Sequence, residues 1–193
     1  MEKNSVGSAI AKSVVLVLLG AGIVLAVFML FNRDVSEKKP KGEESYKLSA
    51  VDRITTTNLD KNYPADPRKV VELYCQIIKV MYNEKYTADQ QKAMLDVLAG
   101  ILDEELLANQ TNFYAAMSNE AQSRKDEGYS FSTYQVNSST PEEIIINDRK
   151  CCEVECYYSL MKGATRESMY YTFLLRKDDQ KRWKIAYYGP TQN

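Results

Sequence analysis

Hydrophobic and polar positions fall into three successive patterns along the chain. The first is a run without charge from Val14 to Phe31, inside SVVLVLLGAGIVLAVFMLFN, Ser13 to Asn32. As a helix, about 20 residues rise about 30 Å, the hydrocarbon thickness of a bilayer. A helix in a soluble core would carry a polar stripe, and this run has none. The pattern therefore predicts a transmembrane helix over 13–32, preceded by a short head over 1–12. Cleavage as a signal peptide is disfavoured, because the run exceeds a usual h-region and Phe28-Met29-Leu30-Phe31-Asn32-Arg33 stands where small residues are expected. The next segment, 33–58, contains RDVSEKKPKGEES and reads as a charged, solvated tether.

From residue 59 the apolar positions recur at three- and four-residue steps. Asp66-Pro67 is a helix-start signature, and Val70, Val71, Tyr74, Ile77, Ile78, Met81 and Tyr82 form one stripe, predicting a helix over 67–83. Thr87 to Gln90 has the form of a capping box, and Met94, Leu95, Leu98, Ile101 and Leu102 continue a second stripe. Phe113, Met117 and Ala121 mark a third helix, from Asn112 to Lys125, which Gly128 stops.

After Gly128 the period becomes two. Phe131, Thr133 and Gln135 predict a weak strand, and Ile144-Ile145-Ile146 a short one ended by Asn147-Asp148. Cys152, Val154, Cys156, Tyr158 and Leu160 alternate with Cys151, Glu153, Glu155, Tyr157 and Ser159. Met169, Tyr171, Phe173 and Leu175 repeat the arrangement, and Asp178-Asp179-Gln180 turns into Trp183, Ile185 and Tyr187. Such alternation fits antiparallel strands with one face covered. The expected fold class is α+β: about three helices packed on a curved antiparallel sheet of four to five strands over 59–189, with a tail at 190–193.

Composition narrows the chemistry. The 193 residues include 25 basic and 26 acidic side chains and no histidine, for a net charge of −1. The first 41 residues hold six basic and three acidic groups, so the rest is mildly acidic. Nucleic acid is not an expected partner, since phosphate neutralisation needs a cationic face. Without imidazole, Ser-His-Asp and Cys-His nucleophiles and His-ligated metals are excluded. No catalytic motif and no cofactor site is read, and the expectation is a protein that is not an enzyme. Asp103-Glu104-Glu105 reads as solvated acids or a helix start rather than an acid/base pair, and Glu153 and Glu155 as cross-strand partners of Arg176 and Lys184. Cys75 falls on a helix stripe, and Cys152 and Cys156 on the apolar strand face. The four cysteines fit buried thiols or one disulfide; adjacent Cys151 and Cys152 point to opposite faces and cannot both ligate one zinc.

The 14 tyrosines are the most suggestive feature. In the pairs Tyr157-Tyr158, Tyr170-Tyr171 and Tyr187-Tyr188, strand geometry sends one ring to each side. The alternation puts Tyr158, Tyr171, Trp183 and Tyr187 on the helix-covered side, as packing or ligand-binding aromatics, and Tyr157, Tyr170 and Tyr188 on the other. A carboxylate buried among Tyr158, Tyr171 and Trp183 would point to an enzyme. A closed core with an exposed outer tyrosine cluster would point to binding.

The segments Asn58-Leu-Asp-Lys-Asn-Tyr-Pro64, Pro67 to Tyr74, Tyr82-Asn-Glu-Lys-Tyr-Thr87, Leu102 to Leu107, Leu174 to Asp178 and Trp183-Lys-Ile185 resemble an uncharacterised family of membrane-anchored proteins from gut clostridia. The order of elements is similar to that of the nuclear transport factor 2-like (cystatin-like) superfamily, which implies a cone of helices against a curved sheet. Members of that superfamily include isomerases, ligand-binding domains and scaffolds, so the likeness leaves function open. The combined expectation is a single-pass protein of the cell membrane, with the lipid bilayer as partner of its N-terminal helix. Lys3 and Lys12 precede the run, and Arg33, Lys38, Lys39 and Lys41 follow it. Charge count alone slightly favours a cytoplasmic domain, while the short charged head behaves as a signal n-region and favours export. The expected domain is extracytoplasmic, a non-enzymatic module for a protein or small-molecule ligand. The alternative is a small-molecule-processing enzyme with a carboxylate/tyrosine pocket between helices and sheet.

Overall fold

A computed structural model describes residues 48–191. The head, the expected membrane span over 13–32 and most of the tether lie outside the described residues. Among these residues no helix is long and apolar enough to cross a membrane.

The chain runs α1 (Ala50–Thr55), α2 (Pro67–Asn83), α3 (Ala88–Ile101), α4 (Glu104–Ala108) and α5 (Phe113–Asp126). The strands β1 (Tyr129–Val136), β2 (Ile144–Ile146), β3 (Arg149–Lys162), β4 (Thr165–Lys177) and β5 (Trp183–Pro190) follow. The α+β expectation stands, with five antiparallel strands. Local chemistry sets the helix ends. Asp66 accepts from the Arg68 amide with Pro67 at N1, and Thr87 and Gln90 form the reciprocal capping box. Gly128, at φ 79°, takes the left-handed turn that releases the chain into β1.

Helix α1 lies inside the segment read as tether, so the packed part begins earlier than residue 59. Ser49 and Asp52 cap it reciprocally, and Val51 and Ile54 are buried. Two apolar positions in six residues are too few for a periodicity to register. At Gly100 in α3, a methyl group would come within 2.5 Å of Leu59, so glycine lets the connecting segment lie against that helix.

The sheet order is β1-β3-β4-β5, with β2 pairing β3 beside its start. Asn147 and Asp148 both have positive φ, the geometry of a tight hairpin turn between β2 and β3. The long helices cover one face, and Phe173, Leu175 and Ile185 from the sheet meet Val70, Ile77, Met81, Leu98 and Ile101 in the core. The edges are closed from the helical side. Asn83 exchanges two hydrogen bonds with the Phe131 backbone, while Leu102 bridges Ile185 and the Asp103 amide donates to the Ile185 carbonyl.

Two bulges break the expected alternation. In β1, Phe131 faces Leu160 but Thr133 faces Ser159, leaving Ser132 extra; Tyr134 and Val136 then turn inward in place of Thr133 and Gln135. In β5, Ile185 faces Leu175 but Tyr187 faces Leu174, leaving Ala186 extra. The inserted residue shifts every later side chain to the opposite face. Tyr187 is therefore on the outer face, 61% exposed, and Tyr188 packs inward against Phe173 with ring centroids 5.7 Å apart. This reverses the expected placement of the last tyrosine pair.

Candidate functional site

The inner face brings Tyr158 and Tyr171 together, with ring centroids 5.0 Å apart, and stacks Tyr158 on Phe131 at 5.4 Å. Tyr74 of α2 meets Phe173 and Tyr188, both at 5.2 Å. These rings, with Tyr82, Met117 and Met169, border a cavity of about 180 Å³ between α2, α5 and the sheet. Burial pushes the Tyr158 phenol well above its ordinary range, and the neighbouring Tyr171 adds to the effect. At the mouth Glu120 accepts from the Tyr82 hydroxyl at 3.3 Å and faces Arg124 at 3.8 Å. Its side chain is 53% exposed, so it is not a carboxylate buried among the rings.

Trp183 is on the inner face as expected and 5% exposed, but it does not join this group. It pairs with Lys177, whereas Tyr171 pairs with Pro190; six residues along β4 separate the two by about 20 Å. The Lys177 ammonium lies 4.5 Å from the Trp183 ring centre, and the Tyr63 hydroxyl donates to the Trp183 carbonyl at 2.7 Å. Trp183 closes the far end of the core.

A buried carboxylate does exist there, at Asp103, which is 4% exposed. Asp103 caps α4 by accepting from the Glu105 amide and is held by the Arg176 guanidinium, which also reaches Glu105 at 2.9 Å. Burial pushes its carboxyl up, but the Arg176 and Glu105 hydrogen bonds outweigh that and hold it below the usual carboxylate range. An acid kept ionised and matched to a guanidinium is a structural group, in keeping with the expected helix start. Arg176 and Lys184 are not the partners of Glu153 and Glu155. Register sets Arg176 opposite Cys151, α4 supplies its acids, and Lys184 donates to the Gly100 carbonyl.

On the outer face the same register lines up Tyr157 with Tyr170, ring centroids 5.3 Å apart, and Glu153 with Leu174 and Tyr187. Tyr170 is 66% exposed. Tyr157 bonds Ser168 at 3.1 Å, and Gln135, Asn137 and Glu155 complete an open concavity of about 570 Å³. Neither Glu153 nor Glu155 has an ion-pair partner among the described residues; Glu155 accepts only from Asn137, at 3.2 Å. Sequence reasoning placed Tyr157, Tyr170, Glu153 and Glu155 on this face; the bulges bring Gln135 and Tyr187 to it, and Ser168 and Asn137 carried no signal that singled them out.

All four cysteines are buried free thiols. Cys75 and Cys156 lie on the inner face as expected, with their sulfurs 3.6 Å apart. Burial raises Cys152 to about 12. Among the described residues, no group of three or more Cys, Asp and Glu side chains is placed to hold a metal ion.

A family model for a domain of unknown function, DUF6715, matches residues 1–188. The chain belongs to this family. A search of curated proteins finds no match. Two solved structures show some similarity to parts of this DUF6715 chain. The intermembrane space region of the chloroplast protein ARC6 is 12% identical, with a TM-score of 0.37 over 65% of this chain and 94% of that one. The transfer protein TraH from the Gram-positive conjugative plasmid pIP501 is 14% identical, with a TM-score of 0.37 over 71% of this chain and 96% of that one. Likeness at this level carries nothing about the function of the DUF6715 chain.

Proposed function

We propose that this DUF6715 protein is a single-pass, membrane-anchored binding module without enzymatic activity, and that its ligand is a cationic segment of another protein. The observation that carries this reading is the uncovered sheet face. Exposed Tyr170 stands beside Tyr157, and exposed Tyr187 lies farther along the same face across Leu174 from Glu153; Glu153 and Glu155 lack cationic partners among the described residues. Tyrosine faces attract Lys and Arg head groups, and unpaired acids complete the match. The helices and curved sheet are read as the nuclear transport factor 2-like cone, with the opposite, outer face as the recognition surface. The bilayer is the partner of residues 13–32, and the domain is placed outside the cytoplasm.

The test of binding uses a fluorescent oligolysine peptide, with oligoglutamate as control, on the full chain in detergent. Oligolysine binds and weakens as salt rises, and Glu153→Gln with Glu155→Gln reduces affinity about fivefold. If these changes, and Tyr170→Ala with Tyr187→Ala, leave affinity unaltered, the reading fails. Topology is tested with Lys85→Cys, an exposed position against a background of buried native thiols. Labelling of intact cells by an impermeant maleimide is expected; labelling only after lysis places the domain inside.

The cavity beside Tyr158 and Tyr171 favours a second reading, a small-molecule-processing site, because a hole of this size, walled by aromatic rings with Glu120 and Arg124 beside them, admits a benzene-sized ligand. Phenol is its probe. Saturable binding lost in Tyr158→Ala, with chemical turnover of a phenolic substrate, would replace the module reading.

A further inference from the structure

We infer that Cys75 and Cys156 form an oxidisable pair that closes to a disulfide joining α2 to β3 across the core. The two thiols come from positions 81 residues apart, meet at 3.6 Å and are 2% and 1% exposed. A disulfide needs its sulfurs at about 2.05 Å, so closure asks for an approach of about 1.5 Å, within reach of side-chain rotation and a small helix shift. The other two cysteines are arranged differently. The Cys151 thiol donates to the Arg149 carbonyl at 3.6 Å, and its strand neighbour Cys152 points to the opposite face.

The pair is also electrostatically uneven. Hydrogen bonding from Cys75 holds the Cys156 thiol below its ordinary range, while the shared hydrogen bond and burial push Cys75 far up. Cys75 borders the tyrosine cavity, which gives a small oxidant a route to that sulfur, 3.6 Å from Cys156.

The oxidant class is a hydroperoxide. One thiol of the pair ionises and its thiolate attacks one peroxide oxygen; the S–O bond forms, the O–O bond breaks, and the departing oxygen takes the proton that thiol released, leaving as water or alcohol. The second sulfur then attacks the first; the S–S bond forms, the S–O bond breaks, and hydroxide leaves with the second thiol's proton as water. Two thiols and one peroxide thus give one disulfide and two small neutral products. The linkage ties an element of the cavity wall to the central strand, and it depends on neither the outer face nor the membrane side.

The full chain, reduced and then treated with hydrogen peroxide, is alkylated under denaturing conditions and mapped by peptide mass. The expected product is a Cys75–Cys156 linked peptide, two hydrogens lighter than the free pair, with Cys151 and Cys152 alkylated. Its melting temperature rises by about 5–10 °C and returns on reduction, since the bond closes a long loop in the unfolded chain. Cys75→Ala, which keeps the site apolar, loses both the peptide and the shift. Recovery of Cys75 and Cys156 unlinked, at a dose that oxidises glutathione, overturns the inference. So does linkage through Cys151 or Cys152, or between chains. The wild-type map gives this answer even where the variant fails to fold.

Discussion

The two faces of the sheet share one backbone and each carries three tyrosines, yet these tyrosines have different fates. Tyr158, Tyr171 and Tyr188 turn toward the helices and pack on the core, while Tyr157, Tyr170 and Tyr187 turn away. Each dipeptide sends one ring to each side, so residue type does not decide which ring is structural. Coverage does. Long helices α2, α3 and α5 dehydrate one face, whereas the middle of the other stays open. Even the outer face is not uniform: at the end where Arg176 and Lys184 stand, Asp103 and Glu105 pair with Arg176, and the Gly100 carbonyl accepts from Lys184. Farther along, Glu153 and Glu155 have no such partner.

The largest way to break the contrast is on the inner face. Phe173 is fully buried between the Tyr74 and Tyr188 rings, so Phe173→Ala is expected to cost about 3–5 kcal/mol in urea unfolding. Next comes the capped end of the outer face. Arg176→Ala leaves the Asp103 carboxylate buried without its guanidinium and is expected to cost about 3 kcal/mol at neutral pH. That loss shrinks on acidification, because Asp103 then sheds its charge. The sign follows from its depressed native value: the stabilisation is present above an unfolded pKa of about 3.9 and disappears as pH falls through the native one. Unfolding of wild type and of Asp103→Asn across pH 2–6 measures it.

Deleting Ala186 removes the extra residue, so Ile185 can stay opposite Leu175, Tyr187 opposite Leu174 and Tyr188 opposite Phe173, and the two tyrosines keep their faces. A cost of about 1 kcal/mol is expected, and nitration by tetranitromethane should stay on Tyr187; a move to Tyr188 would mean that the extra residue does not set the faces. The smallest effect is at the open surface. Tyr170→Ala should change stability by no more than about 0.5 kcal/mol, so that its effect on oligolysine binding reports recognition alone. A large destabilisation would mean that this ring is a packing group and would erase the difference between the faces.

Amphipathic spacing and capping residues place α2, α3 and α5 to within a residue or two of their observed ends, because those signals are local. The inward set Cys152, Val154, Cys156, Tyr158 and Leu160 follows from strict alternation in β3. What depends on pairing was not legible. Nothing local to Ser132 or Ala186 announces an extra residue, since a bulge is a mismatch between two strands rather than a property of one. Helix α1 is too short to show a period, and Trp183 looked like a pocket residue because alternation gives the face but not the position along the sheet.

By itself, then, the sequence determined the uncharged run of 13–32, the order of helices before strands, and the exclusion of imidazole chemistry, since composition and local periodicity carry those. Only the tertiary structure decided which tyrosine of the last pair faces the core, that Asp103 answers Arg176 across 73 residues, and that Cys75 meets Cys156 across 81. These are contacts between distant segments, fixed by strand register and helix packing, and no short stretch of chain encodes them alone.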